Sequence, residues 1–538
     1  MAKIVLTADR AIFTDYHAND LFGFGLCLPY RLVPELVQYR ILAPKIPADG
    51  LRAKCAPYAL CKVEASLIAA GFSRRDVVIV PPRMVMKAID KDTEIVAIHV
   101  LDPMGLAPVT WTLKALSGGG KSSTELEFEK LMSVIRLLKE KYKFKVVVGG
   151  PGNWQLRGYE SRYGIDVLFD GEAEVTFPSI VKKLLSGEEV PRYVRGEPVP
   201  LDRIPLIVTP SRNGQVQITR GCPRKCHFCN PTMWHFRSFP LNIIAREVEF
   251  NLRNGIKSIG LVTEDIMLYG AHGLELNSYA VRRLFEALTD LARKWEACEK
   301  IGFSHVSCAS ALVLKDVVKY ISEIQGLSDD NPTFPQVGLE SGSPRLLAKH
   351  FRGKVYPWKP EDWPDIVVES SKLFNESYWY PCFTYIVGFP DATPDDYIAT
   401  TELIDRLRSE EFKGWTFPLL LIPMGGTIIE KKGIRFSEFS KLPQEAIDCM
   451  IAGWKLSLDN SKKLVDKLLK IKKPFLSRIL NTIVSLALNA MENWINDISK
   501  DPNVIENVYS NINIRKTYEV IKITLPAIIE KKTITVHI

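Results

Sequence analysis

The chain lacks any uncharged run long enough to cross a bilayer as a helix, which needs about 20 apolar residues. Its opening residues, MAKIVLTADR, enter a strand-like segment and carry neither the apolar stretch nor the cleavage site of a secretion signal. Cysteine is scarce, 10 in 538 residues, and seven of the ten are scattered without the even spacing of a disulfide scaffold. These absences point to a reducing, cytoplasmic setting. There is no internal repeat and no low-complexity tract. The net charge of +8 is spread along the chain and not gathered into a stripe, so a nucleic-acid role is not expected. One denser basic stretch, Lys462, Lys463, Lys467, Lys470, Lys472 and Lys473, is either a solvated helix face or a contact for an anionic membrane surface.

What is present is a globular composition, with 46% apolar and 25% charged residues, in a chain long enough for about three domains. Residues 1–190 alternate short β-branched runs (3–8, 76–81, 94–100, 145–150, 166–169) with helical patterns. Leu60, Val63, Leu67 and Ala70 share one helical face, as do Phe128, Leu131, Ile135 and Leu138. The second of these helices opens on Ser122-Ser123-Thr124-Glu125, a capping box. Apolar strands separated by helices predict an α/β fold with a doubly wound parallel sheet. Residues 191–214, rich in Gly, Pro and charge, read as a linker.

Residues 215–440 repeat the alternation through six βα units, with strands at 215–219, 258–263, 302–307, 336–339, 384–387 and 419–422, predicting a partial or complete (β/α) barrel. Residues 441–538 are mainly helical, with Pro443 and Pro474 at helix starts. In the second helix, Arg478, Asn481, Ser485, Asn489, Glu492 and Asn496 form a narrow polar stripe amid apolar residues. It reads as a helix in the protein's own core, or as a face for lipid or a greasy substrate.

The chemistry concentrates in Cys222-Pro223-Arg224-Lys225-Cys226-His227-Phe228-Cys229, just after the first barrel strand, where barrels build their sites. Three thiolates spaced C-x3-C-x2-C suit an iron–sulfur cluster wrapped by one loop. Four irons with three cysteines leave one iron open to a reacting molecule. The alternative is a structural zinc loop completed by His227 or a distant cysteine, although no second C-x2-C pair is present.

This loop resembles the signature of the radical S-adenosylmethionine (SAM) superfamily. The resemblance implies a four-iron, four-sulfur cluster on Cys222, Cys226 and Cys229, with SAM on the open iron as the source of a 5′-deoxyadenosyl radical. It also implies SAM contacts at successive strand ends. Phe228 lies within the loop. Glu264 and Asp265, in Val262-Thr263-Glu264-Asp265, stand where the family receives the SAM amino group, though an acidic helix cap reads the same way. Glu340 and Ser341, in Gly338-Leu339-Glu340-Ser341-Gly342, resemble a stretch near the SAM ribose or carboxylate. Gly388, in Val387-Gly388-Phe389-Pro390, would let backbone approach the adenine, with Asp391 at the acidic position that follows. A low-potential ferredoxin or flavodoxin would supply electrons.

Gly149 and Gly150, and Gly171 and Glu172, follow strands of the N-terminal region in a manner similar to the cobalamin-binding domains of class B radical SAM proteins. The D-x-H-x-x-G motif is missing, and His17 is its nearest imitation, read as a hydrogen-bonded loop residue. Cys27, Cys55 and Cys61 are either free buried cysteines or, as in methylthiotransferases, ligands of a second cluster. Within class B the order of motifs is similar to hopanoid C-methylases and to the ring synthases of archaeal tetraether (GDGT) lipids. The first expectation is therefore C–H activation with cyclopentane ring closure on an isoprenoid lipid, with peripheral contact to the membrane. A cobalamin-dependent C-methyltransferase is the second. RNA methylthiolation and a non-catalytic iron–sulfur protein are the others.

Overall fold

The computed structural model describes residues 2–18, 22–296, 301–468, 474–505, 514–519 and 522. Six parallel strands form the N-terminal sheet: β1 (Ile4–Ala8), β2 (Val77–Ile79), β3 (Ile95–His99), β4 (Lys145–Gly149), β5 (Val167–Gly171) and β6 (Tyr193–Gly196). Their order is β2-β1-β3-β4-β5-β6. The order reverses between β1 and β3, the kind of switch point where such sheets open a crevice at their carboxyl edge.

Four helices sandwich or flank this sheet: α1 (Tyr58–Ala69), α2 (Pro108–Leu116), α3 (Ser123–Tyr142) and α4 (Ala173–Leu185). Period-two alternation divides β1 between two cores. Val5 packs with Phe128, Leu131 and Ile135 of α3. Ile4 and Leu6 pack with Leu60 and Leu67 of α1 and Phe177 of α4. The predicted capping box is present: Ser122 and Glu125 satisfy each other's backbone N–H at the start of α3. The segment 191–214 is not purely a linker. Tyr193–Gly196 joins the sheet as β6, pairing in parallel with β5.

The second sheet system has six strands: β7 (Gln215–Gln217), β8 (Ile259–Val262), β9 (Ile301–Phe303), β10 (Gln336–Glu340), β11 (Cys382–Val387) and β12 (Trp415–Leu420). They pair as β9-β8-β7 and β10-β11-β12, linked by the parallel bridge His305↔Gln336. Helices α5 (Leu241–Arg253), α6 (Ser278–Lys294), α7 (Lys315–Ile324), α8 (Trp363–Glu376) and α9 (Pro394–Ser409) clad the outside. The barrel is partial, and β12 is an edge. An unpaired edge needs a cover. Helix α2 of the N-terminal region supplies one: Thr112 Oγ1 accepts the Leu420 N–H at 2.8 Å.

Buried charge joins the two regions. Glu247 on α5 accepts from Tyr58 Oη (2.7 Å), Lys62 Nζ (2.5 Å) and the Ile207 N–H (3.1 Å). Helix α10 (Gln444–Leu468) closes the far side of β12, and Tyr385 Oη donates to Cys449 O at 2.7 Å. Helix α11 (Pro474–Lys500) packs on α10 and buries Ala490, Trp494, Ile495 and Ile498, as the own-core reading expects. Leu486 and Met491 stay exposed. The side chains of Arg478 and Asn481 in the polar stripe, and Lys467, Lys470, Lys472 and Lys473 of the basic stretch, lie outside the described part. Lys462 pairs with Glu492 at 2.6 Å. Among the described residues, no helix is long and apolar enough to cross a membrane.

Candidate active site

The cysteine loop leaves β7 through a short antiparallel pair, Thr219–Arg220 with Arg237–Ser238, which ties both ends of the loop. Gly221 takes φ +77°, and a Cβ there would meet Trp234 O at 2.6 Å, so only glycine fits this entry turn. The Cys222 N–H donates to Pro231 O (3.1 Å), and Thr232 Oγ1 donates to Cys229 O (2.8 Å). Cys222 and Cys226 are buried and Cys229 half-buried. Burial raises all three thiols, Cys226 to about 12, and Cys226 and Cys222 help push Cys229 upward. Three mutually interacting soft donors in one loop fit a cluster, whose irons would favour the thiolate form. Among the described residues, no three His, Cys, Asp or Glu side chains converge on a single-ion site.

Arg224, inside the loop, anchors it to the barrel. Its Nη2 donates to Asp265 Oδ2 at 2.6 Å, and its Nη1 donates to Gly353 O at 2.9 Å. Asp265 also accepts from Ser310 Oγ (2.7 Å) and the Met267 N–H (3.1 Å) and is 1% exposed. This corrects the expectation that Asp265 receives the SAM ammonium: its oxygens are already engaged inside the protein. Glu264 beside it is exposed, has no hydrogen bond within the described chain, and acts electrostatically on Cys222 and Cys229.

Glu340 ends β10 at φ +66° and pairs with half-buried Lys354 at 3.0 Å. Burial alone would lower Lys354, but Glu340 and Cys226 hold it above its ordinary value. Glu340 thus sits by the cluster loop with its charge matched. Ser341 is turned elsewhere: its Oγ lies 3.2 Å from Thr400 Oγ1 and accepts the Ser343 N–H, packing β10 against α9. Gly388 has φ +96°, yet its open face is covered by Ser437, whose Oγ donates to Gly388 O at 2.6 Å. The adenine approach expected at Gly388 is filled by that serine. Phe228 stacks obliquely on Phe351, ring centres 5.5 Å apart.

A chain of hydrogen bonds missed from the sequence runs along the loop. His350 Nε2 lies 3.0 Å from Asp391 Oδ1, and His350 Nδ1 lies 3.2 Å from His227 Nδ1. With both rings neutral, His350 donates to Asp391, so its Nδ1 must accept from His227 Nδ1–H. Burial lowers both imidazoles. No local motif announces this link, because the partners are 123 residues apart.

At the carboxyl edge of the N-terminal sheet, the glycines answer to their neighbours. A Cβ on Gly149 would press on Phe169 O, one on Gly150 would strike Val100 O and His99, and one on Gly171 would strike Gly196 O. Glu172, expected at a cobalamin contact, is instead a buried clamp. It accepts from Arg220 (2.7 Å), Arg237 and the Val199 N–H (2.9 Å), tying the sheet edge to the cysteine-loop hairpin. His99, not singled out from the sequence, ends β3, and its ring has no hydrogen-bond partner among the described residues; Leu101 beside it is 51% exposed. Burial and Arg212 lower its imidazole to about 4, so it is neutral near pH 7. Trp154 packs over Gly425 in the loop after β12, bringing this edge to the barrel mouth. At this edge Glu172 is committed to partners within the protein, while the His99 ring and the Leu101 side chain are not.

His17 is the hydrogen-bonded loop residue expected, with Nε2 3.1 Å from Arg40 O. The N-terminal cysteines do not form one neighbourhood. Cys27 lies by Thr110 and Asp102, whereas Cys55 and Cys61 lie by Asp15, Arg212, Glu64 and Glu247.

Residues 216–404 match the radical SAM superfamily. The chain is 25% identical over 287 residues to the tRNA-2-methylthio-N(6)-dimethylallyladenosine synthase of Magnetococcus marinus, covering 51% of this chain and 60% of that protein. It is 25% identical over 225 residues to the ribosomal protein uS12 methylthiotransferase RimO of Christiangramia forsetii, covering 39% and 44%. The chain therefore spans less than two thirds of the length of these curated relatives. Two solved structures of the radical SAM methyltransferase TsrM from Kitasatospora setae share the fold. One, with tryptophan and aza-SAM bound, aligns at TM-score 0.51 and 15% identity over 79% of this chain and 75% of that one. The other, with cobalamin and a [4Fe-4S] cluster bound, aligns at TM-score 0.50 and 14% identity over 97% and 100%.

The match over 216–404, together with the three-cysteine loop it contains, supports enzymatic activity of the radical SAM type, with a [4Fe-4S] cluster and SAM as cofactors. More particularly, the N-terminal parallel sheet, the β/α region and the helical C-terminal region share the fold of the two TsrM structures. These likenesses do not single out tetraether ring synthases or hopanoid methylases.

Proposed function

We propose that the protein is a cobalamin-dependent radical SAM C-methyltransferase. One observation carries the reading: the carboxyl edge of the reversed-order parallel sheet is clamped by Glu172, Arg220 and Arg237 directly to the hairpin bearing the cysteine loop. When bound, the cluster, SAM and a corrinoid would supply the electron, the methyl group and its carrier. The chain's own part is to hold and exclude. Cys222, Cys226 and Cys229 would hold three irons, and exposed Glu264 would accept from the SAM ammonium. His99 and Leu101 would face the corrin, and Trp154 against Gly425 would shield that edge from water. TsrM is described with a tryptophan substrate; for this chain the methyl acceptor is a compound with a carbon centre that acid–base chemistry does not activate.

Ring closure on an isoprenoid lipid is the second reading, supported by the exposure of Leu486 and Met491 on α11. Anaerobic reconstitution with iron, sulfide and hydroxocobalamin, followed by turnover with methyl-labelled SAM, separates the two. Stoichiometric corrinoid and a labelled methyl on carbon are expected. Iron with SAM cleavage but no corrinoid uptake would overturn methyl transfer and favour ring closure. Zinc in place of iron would overturn both.

A further inference from the structure

Two ion pairs shielded from water stand beside the cysteine loop. One, Arg224 with Asp265, is tied into the scaffold by hydrogen bonds on both partners. The other, Lys354 with Glu340, is held by position. Gly353 lies so close to the Arg224 backbone that no Cβ would fit between them, and Arg224 Nη1 donates to Lys354 O at 3.3 Å. Val355, which is buried, pins the end of the short helix Arg352–Val355. From there the Lys354 ammonium reaches β10, where a Cβ on Gly338 would collide with both Lys354 Nζ and Glu340 Oε1. The missing side chain at Gly338 is the cradle of the pair. The Lys354 and Glu340 side chains are 12% and 7% exposed, and Glu340 is the one carboxylate paired with Lys354 among the described residues.

An ion pair out of water contributes little net stability, because desolvating two charges offsets their attraction. What this pair does contribute is a field at the thiol loop. Lys354 and Glu340 act electrostatically on Cys226 with opposite signs, and Lys354 has the larger effect. Glu340 acts on Cys229 as well. Fields between shielded groups are weakly screened. Reducing a cluster on these thiolates adds one negative charge. The ammonium favours that added charge, and the carboxylate opposes it.

We infer that the Lys354–Glu340 pair, cradled by Gly338, sets the reduction potential of the cluster on Cys222, Cys226 and Cys229: the ammonium raises it and the carboxylate trims it. The step concerned is the gain of one electron by the cluster from a one-electron reductant, with no proton moved and no bond made or broken. Neither residue is a ligand; both act through space. The inference rests on the cluster and not on the methyl-transfer reading, so either can fail without the other.

The test is an anaerobic redox titration of the reconstituted full-length protein without SAM. Titanium(III) citrate is the reductant, each titanium(III) giving up one electron, and the electron paramagnetic resonance signal of the reduced cluster is the readout. A unit charge about 10 Å away, across a medium of effective dielectric constant about 20, changes a one-electron equilibrium roughly ten-fold. Lys354→Met should therefore lower the reduced-to-oxidised ratio at a fixed potential about ten-fold, equivalent to about 59 mV. Glu340→Gln should raise that ratio by a similar factor. Lys354→Arg, which keeps the charge, should titrate close to the unaltered protein. So should Lys354→Met combined with Glu340→Gln, which removes both charges. A packing role alone would cost iron or stability in both single variants without displacing their titrations in opposite directions. Should Lys354→Met fail to retain iron, Glu340→Gln against the double variant gives the same reading, since the ratio should rise in one and return in the other. Titrations displaced the same way by both single variants, or superimposable in all forms, would overturn the assignment.

Discussion

Replacing Arg224 by Ala should loosen the cysteine loop more than any other change of one residue outside the cysteines. Arg224 and Asp265 have side chains 5% and 1% exposed and meet at 2.6 Å. Removing one partner of a buried pair costs about 3–5 kcal/mol, because the other charge stays buried and uncompensated. Asp265 would keep Ser310 Oγ and the Met267 N–H, which offset part of that cost. The loop would also lose its bonds to Gly353 O and Lys354 O. The assay is anaerobic denaturant unfolding of the reduced apoprotein, with iron retained after reconstitution as a second readout. Arg224→Ala should lower stability by about 3 kcal/mol and cut bound iron. Asp265→Asn should do the same more mildly. An apolar pair, Arg224→Met with Asp265→Leu, should recover most of the stability but not the iron, since the bonds to the 353–354 backbone remain lost. If Asp265→Asn instead weakened SAM binding with stability unchanged, the anchoring role argued here would be wrong, and Asp265 would belong to the SAM site.

Other outcomes follow from single contacts. Glu264→Ala should weaken SAM binding about ten-fold or more, the value of one charge-assisted hydrogen bond, while thermal stability holds; an unchanged affinity in calorimetry would remove Glu264 from the site. Thr112→Val should leave the Leu420 N–H of the edge strand unsatisfied and destabilise the fold by about 1–3 kcal/mol in urea unfolding. Burial and Glu127 raise Asp9 from 3.8 to about 7, so folding stability should fall as pH rises between those two values and level off above. Asp9→Asn should flatten that slope, a difference on the order of 4 kcal/mol, measurable as the pH dependence of the unfolding free energy.

The sequence by itself determined the architecture and the three-cysteine loop. Strand and helix periodicities are local, so both βα regions could be read from residue spacing, down to the Ser122 capping box. The thiol loop was equally legible, because Cys222, Cys226 and Cys229 lie within eight consecutive residues. What a motif could not reveal was which polar groups remain available. Glu264 and Asp265 are adjacent in sequence, yet one faces outward while the other is engaged by Arg224 and Ser310. Glu172 looked like a ligand contact until Arg220 and Arg237 closed on it, and Gly388 looked open until Ser437 covered it. The strand Tyr193–Gly196 hid in a polar segment because an edge strand need not be apolar on both faces. His99 and the His227–His350–Asp391 chain carry no motif at all. Hydrogen bonds and ion pairs depend on distances of about 3 Å between residues remote along the chain, and only the tertiary structure sets those distances.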